Sequence, residues 1–380
     1  MSNDTGKITC NICNGQVHAI ETHLRKDHPN VSLSEYQALY PDAPLLSALA
    51  IETIAEQRAK LAKAAQPEGV TQHLRADLKD VFGLAESPAT KNTRGDAEVK
   101  CTVIAGSAHE FVPDVDSDYV YDIDALKNVL MAIEMNEPLM VWGHTGTGKT
   151  TLLEQVFAKT NRPCIRVQHS IGTEERDIVG QFLVKNGETY FSEGPLTMAM
   201  KHGWVYLADE YDFALPAVVA VYQAVLEGKP LVIKEADPQH RITRPHPDFR
   251  FVATGNTNGT GDETFLYSGT NVQNSANYDR FGMVIEKKYM LPDLEVAMIV
   301  KKVGIAPADA RKIVEFATRI RESYTNGNVS APISPRSLLR IGKFGLAKGN
   351  YRTGVELTFS SKLNRVDQAT ANGLAQRIFG

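Results

Sequence analysis

Eight residues, Gly143-His144-Thr145-Gly146-Thr147-Gly148-Lys149-Thr150, constrain this chain more than any other stretch. They fit G-x-x-x-x-G-K-[ST] at every fixed position. Glycines let the backbone curl until several N–H groups face one anion, the lysine reaches terminal phosphates, and the threonine hydroxyl can ligate Mg²⁺. The flanks supply the rest of the unit. Leu139-Met140-Val141-Trp142 reads as a buried strand entering the loop. Residues 151–157, opening at Thr151, read as a helix leaving it with the positive end of its dipole toward the phosphate. ATP and Mg²⁺ are therefore the expected ligands of Gly143 to Thr151, with Thr150 on the metal.

The 380 residues allow two or three domains, and 43% hydrophobic with 23% charged residues suits an ordinary globular protein. No apolar run approaches the length of a membrane span, and the polar start Met1-Ser2-Asn3-Asp4 lacks the apolar stretch of a secretory signal. No membrane contact and a cytoplasmic location are expected. A net charge of −4 gives no overall pull toward nucleic acid, so such binding needs a local basic patch.

Of the four cysteines, Cys101 and Cys164 stand alone while Cys10 and Cys13 form a C-x-x-C pair. After nine intervening residues come His23 and His28, with four residues between them. Two thiolates on a turn and two imidazoles near the end of a short helix can close a tetrahedron round Zn²⁺, supplying folding energy that a small segment lacks. The spacing resembles the short zinc fingers of some bacterial transcription regulators, with His18 a bystander. Lys7, Arg25 and Lys26 make a thin basic patch, so this finger is expected to dock on protein or on nucleic acid.

The expected organisation is a zinc-finger-like domain over residues 1–44 and a helical segment with linker over 45–100. An α/β nucleotide-binding domain over 101–290 and a helical lid over 291–380 follow. Helical spacing covers 44–65 and then 74–82, and the polar run 87–96 reads as the boundary. Beyond it, five strands near 139–142, 164–167, 204–208, 249–253 and 283–285 alternate with helical patterns, as in a parallel sheet covered on both faces. Helices near 293–303, 307–324, 335–347 and 354–379 would form the lid.

Asp209-Glu210 follows an apolar strand, which places two carboxylates at the carboxyl edge of the sheet beside the phosphate loop. Asp209 is assigned to Mg²⁺ and Glu210 to the base that activates water. Asn256, at the end of another strand, can position that water or sense the γ-phosphate. Arg280 and Arg336 are candidate phosphate contacts, because a guanidinium is always charged and forks toward oxygen. A small-molecule kinase would explain the phosphate loop but not these groups together.

These residues resemble the AAA+ ATPases of the MoxR and magnesium/cobalt-chelatase branch, most closely the cobaltochelatase ATPase subunits. The likeness runs from Phe111 to Gly380. It includes Val112-Pro113-Asp114-Val115-Asp116, Asp209-Glu210-Tyr211-Asp212, Arg244-Pro245-His246-Pro247, Leu266-Tyr267-Ser268-Gly269-Thr270 and Arg377-Ile378-Phe379-Gly380. The resemblance implies that Asn256 is sensor 1, Arg280 an arginine finger acting in trans, and Arg336 sensor 2. It also implies a homo-oligomeric ring, usually a hexamer. Two inserted hairpins, over 177–190 and 231–243, would face the pore or a partner, typically a protein with a von Willebrand A domain. The N-terminal finger, Gly255 and Phe281 differ from the cobaltochelatase pattern.

Overall fold

The computed structural model describes residues 6–53, 72–185, 188–234, 236, 241–262 and 266–380. The chain divides into two compact units, Met1–Glu68 and Gly69–Gly380.

In the first unit β1 (Ile8–Thr9) and β2 (Gln16–Val17) pair antiparallel ahead of α1 (Ile20–Asp27) and α2 (Leu33–Leu39). Ser32 and Glu35 form a reciprocal cap on α2, satisfying two backbone donors at its start. Among the described residues, the unit's fully enclosed apolar core is Cys10, Ile20, Leu24 and Tyr36, with partly buried neighbours around it. Such a core is thin for a unit of this size. The helical stretch expected over 44–65 starts at residue 48, and its part beyond residue 53 lies outside the described residues.

The second unit opens differently from the expectation. Residues 73–82 are not one helix. β3 (His73–Asp77) pairs antiparallel with β4 (Lys100–Ile104), and only α3 (Leu78–Phe82) is helical. The pairing is non-local, so no periodicity within 74–82 could disclose it. The polar run 87–96 is a folded connection rather than a boundary: Asn92 N–H donates to Ala97 O, and Lys91 O accepts from Lys127 Nζ at 2.6 Å. Residues 69–100 accordingly belong to the α/β unit.

Helix α4 (Ile123–Met135), capped by Asp122, leads into β5 (Leu139–Trp142). The other sheet strands are β6 (Cys164–Gln168), β9 (Val205–Asp209), β12 (Arg250–Gly255) and β13 (Met283–Glu286). Their order is β13-β5-β12-β9-β6, every pair parallel. Parallel sheets are covered on both faces, which is why β9 reads as an unbroken apolar run and is buried throughout. Register aligns the carboxyl ends: Gly255 lies opposite Trp142, and Asp209 opposite Gln168. The phosphate loop therefore passes from β5 into α5 (Lys149–Lys159) beside the ends of β9 and β12.

Both insertions are hairpins. α6 (Glu175–Val179) precedes β7 (Gly180–Lys185), which pairs with β8 (Glu188–Glu193), and α7 (Pro195–His202) follows. β10 (Leu231–Val232) pairs with β11 (Ile242–Thr243). Asn186 and Gly187, between β7 and β8, and residues 237–240 lie outside the described residues. After α8 (Ser275–Tyr278) and β13 comes the lid, α9 (Pro292–Val303), α10 (Pro307–Thr325), α11 (Pro335–Lys348), α12 (Tyr351–Thr358) and α13 (Arg365–Phe379). The stretch expected to be helical over 354–379 is thus broken in two. Asn364 starts α13 by accepting from the N–H groups of Val366 and Asp367. Among the described residues, no helix is long and apolar enough to cross a membrane.

Candidate active site and metal centre

Gly143, Gly146 and Gly148 all have positive φ, and a Cβ at Gly143 would stand 2.4 Å from Lys287 O. Gly148 caps α5 in the left-handed region, and no side chain takes the first amides of that helix. Those free N–H groups at the positive end of the dipole suit a phosphate. Lys149, 8% exposed, aims Nζ at Gly143 O (2.7 Å), His144 O (3.2 Å) and Asn256 Oδ1 (3.0 Å). Burial draws its pKa down to about 8, while Asp212, Asp209 and Glu210 pull it back up. Three acceptors match the three N–H groups of an ammonium, so the lysine is a cation at neutral pH.

Asp209 is buried at the end of β9. One carboxylate oxygen accepts from Thr150 Oγ1 at 2.8 Å and from Thr254 Oγ1. The other accepts from Nε (2.9 Å) and Nη2 (2.6 Å) of Arg166, whose Nη1 also donates to Glu154. Glu210 then turns sharply, with φ of 54°. A non-glycine residue held there is strained, and such strain collects at functional positions. Its Oε2 accepts from Gln168 Nε2 at 2.8 Å, and its N–H donates to Thr254 Oγ1 at 3.1 Å. Asp212 accepts from the N–H groups of Asn256 (2.9 Å) and Thr257 (2.8 Å), fixing the turn that presents Asn256. Burial raises the Asp212 pKa, and its other oxygen has no hydrogen-bond partner.

Thr150, Lys149, Asp209, Glu210 and Asn256 are thus brought together. His144 Nδ1 and the Thr145 N–H meet the Tyr267 hydroxyl, Thr145 Oγ1 donates to Asn256 Oδ1 at 3.4 Å, and Thr147 bonds back onto His144 O. Arg336, in the first turn of α11, is exposed, has no anionic partner among the described residues, and lowers the pKa of Lys149. Ser334, two residues before it, lies where a Cβ on Gly146 would sit. Lys149 and Arg336, near enough to repel each other beside the glycine loop, suit a polyanion. Arg280 is not at this chain's own loop: Nε donates to Glu227 at 2.6 Å and Nη1 to Ala276 O.

Sequence reasoning missed Arg166, Gln168, Thr254 and Asp212. Arg166 and Gln168 alternate along β6, so both project from one face of the strand nearest β9. Polar residues at the carboxyl end of an otherwise apolar strand were the available signal.

In the first unit, the ligand atoms of Cys10, Cys13, His23 and His28 lie within 4.8 Å of one another. Cys13 Sγ is 3.1 Å from His23 Nε2, and Asp27 holds the opposite ring nitrogen of His23 at 2.7 Å. His28 Nε2 is buried with no hydrogen-bond partner. An orphaned imidazole nitrogen beside two thiols fits a soft divalent metal, and a carboxylate behind the second imidazole orients it as a ligand. His18 lies outside the cluster and bonds Ser47.

A parallel sheet in this order, with the phosphate loop after β5, paired carboxylates after β9 and a helical lid, defines an AAA+ ATPase. The sequence pattern of the AAA domain (dynein-related subfamily) matches residues 138–281. The chain is 36% identical over 314 residues to the aerobic cobaltochelatase subunit CobS of a Sinorhizobium species, covering 80% of this chain and 90% of that one. It belongs to the CobS family of AAA+ ATPases, and ATP hydrolysis with Mg²⁺ is the chemistry of its module. Protein CbbQ of Hydrogenophilus thermoluteolus is 27% identical over 56% of this chain and 75% of its own length. The mouse von Willebrand factor A domain-containing protein 8 is 25% identical over 68% of this chain and 15% of its own.

Proposed function

We propose that this chain is the ATP-driven motor of a homo-oligomeric ring, in which Glu210 activates water against a triphosphate held by residues 143–151. The observation that carries this reading is Thr150 and Lys149 pinned beside Asp209, Glu210 and Asn256 at one sheet edge. Thr150 and Asp209 hold the Mg²⁺, which neutralises phosphate charge when bound. Lys149 and Arg336 grip the terminal phosphates, and Asn256 orients the water. Glu210 takes the proton of that water once it leaves Gln168. Arg280, bonded among the described residues to Glu227 and Ala276 O, is the group offered to a neighbour's nucleotide.

Hydrolysis loosens the grip between loop and lid, and the two hairpins transmit that movement to a partner. A von Willebrand A protein is the partner class we favour, since one relative carries that domain in its own name. The four-ligand cluster binds Zn²⁺ and makes the first unit a docking module. Its thiols and the free Cys101 and Cys164 suit a reducing compartment such as the cytoplasm. The test is Glu210→Gln: it should retain nucleotide while turnover falls about 10²-fold or more. Normal steady-state hydrolysis in that variant defeats the assignment.

A further inference from the structure

The 266–270 segment has no role in the chemistry above, yet it reaches the phosphate loop. Tyr267 hydroxyl accepts the N–H of Thr145 at 3.2 Å and lies 2.8 Å from His144 Nδ1. Thr145 is at the terminal-phosphate end of the cradle, because its Oγ1 shares Asn256 Oδ1 with Lys149 Nζ. Burial and the nearby Lys149 lower the His144 pKa, so its ring is neutral and its Nδ1 can accept the phenolic proton. The hydroxyl is thereby oriented with its lone pairs on the Thr145 N–H.

Both sides of this contact are anchored. On one side, the main chain from Tyr267 runs to Asn271, whose N–H donates to Asp212 O at 2.7 Å, and Thr270 N–H closes a turn onto Tyr267 O at 3.0 Å. Asp212 in turn holds the turn that presents Asn256. On the other side, the His144 ring stacks on Tyr289 at 6.0 Å, and the Arg321 guanidinium covers Tyr289 at 3.8 Å. Arg321 Nε also donates to Ile333 O, next to the Ser334 cap of α11. The hydroxyl therefore sits where the glycine cradle, the loop leading to Arg280 and the lid meet.

We propose that Tyr267 discriminates triphosphate from diphosphate in this site, by holding the Thr145 N–H until a terminal phosphate claims it. This rests on the nucleotide reading of the loop. One N–H carries one proton, so a phosphate oxygen and the phenol compete for it. A diphosphate leaves the contact intact, whereas a triphosphate displaces the hydroxyl and frees the 266–270 turn.

The test measures equilibrium binding of ADP and of a non-hydrolysable ATP analogue, each with Mg²⁺, to the full chain and to Tyr267→Phe. Removing one neutral hydrogen bond should tighten analogue binding by roughly three- to tenfold and leave ADP within about twofold. Hydrogen exchange gives a second readout in the unaltered chain: the analogue, but not ADP, should speed exchange at the Thr270 and Asn271 amides. Equal shifts for both nucleotides, no shift, or weaker analogue binding overturns the proposal, as does exchange that responds alike to both. If the unaltered chain binds neither nucleotide, the underlying nucleotide reading fails instead.

Discussion

Lys149 is a cation enclosed by the phosphate loop, and its depressed pKa makes nucleotide affinity depend on pH in a calculable way. In the free chain burial sets that pKa at about 8 against an ordinary 10.5. Phosphate oxygens favour the ammonium, so the pKa in the complex lies well above that of the free site. Binding then takes up a proton whenever the free lysine has lost one. The affinity falls by the factor 1 + 10^(pH − 8), which is about twofold at pH 8 and about tenfold at pH 9, or ~1.4 kcal/mol. Below pH 7 the lysine is charged in both states and its contribution is constant. The sign for folding is opposite: between pH 8 and 10.5 the unfolded chain holds the extra proton, so the ligand-free fold gains stability as pH rises. Calorimetric titration with ADP in two buffers of different ionisation enthalpy, from pH 7 to 9, reads proton uptake directly. Uptake should climb from about 0.1 to about 0.9 proton across that range. In Lys149→Arg, whose guanidinium does not titrate, the residual affinity should be flat. A flat affinity with no uptake in the unaltered chain, or an equal slope in the arginine variant, refutes the reasoning.

Arg280→Ala should lose turnover by about 10²-fold or more, and mixing it with inactive Glu210→Gln chains should restore some, because each supplies what the other lacks across a seam. Mixtures as inactive as their parts would argue against action in trans. Arg166→Met removes two charge-assisted bonds from buried Asp209, but its guanidinium is 45% exposed and water replaces part of the interaction. A loss of about 1–2 kcal/mol in folding stability is expected from denaturant midpoints, and an unchanged midpoint would refute it. The purified chain should carry one Zn²⁺ by elemental analysis. Cys10→Ser should lose that metal and expose residues 6–53 to protease while leaving ATP turnover intact; full zinc content in this variant would discard the ligand set.

The sheet and the phosphate loop were legible because their signals are local. A glycine-rich turn between a β-run and an amphipathic run can be read within twenty residues, and β9 announces itself by apolar residues ending in two acids. The Cys/His cluster was legible for the same reason, since its spacing brings Cys10, Cys13, His23 and His28 within reach of one another. What stayed hidden depends on contacts far apart in sequence. β3 and β4 pair across 22 intervening residues, and Arg166 reaches Asp209 across 43 positions. Gly255 shows how such a contact dictates a residue that looked like a departure from pattern. A Cβ there would meet Met140 Cε at 2.6 Å and Asp212 Cγ at 3.3 Å. Met140, with the buried carboxylate that fixes Asn256 behind it, thus occupies the space a larger sensor-strand residue would need. Phe281 follows the same logic on the other departure: it is buried against Tyr211 at 5.6 Å and Tyr278 at 5.7 Å, tying the segment after Glu210 to the end of α8, from which the turn with Arg280 leaves. Both differences from the cobaltochelatase pattern therefore lie on the strip of structure joining the Asp209 and Glu210 carboxylates to Arg280.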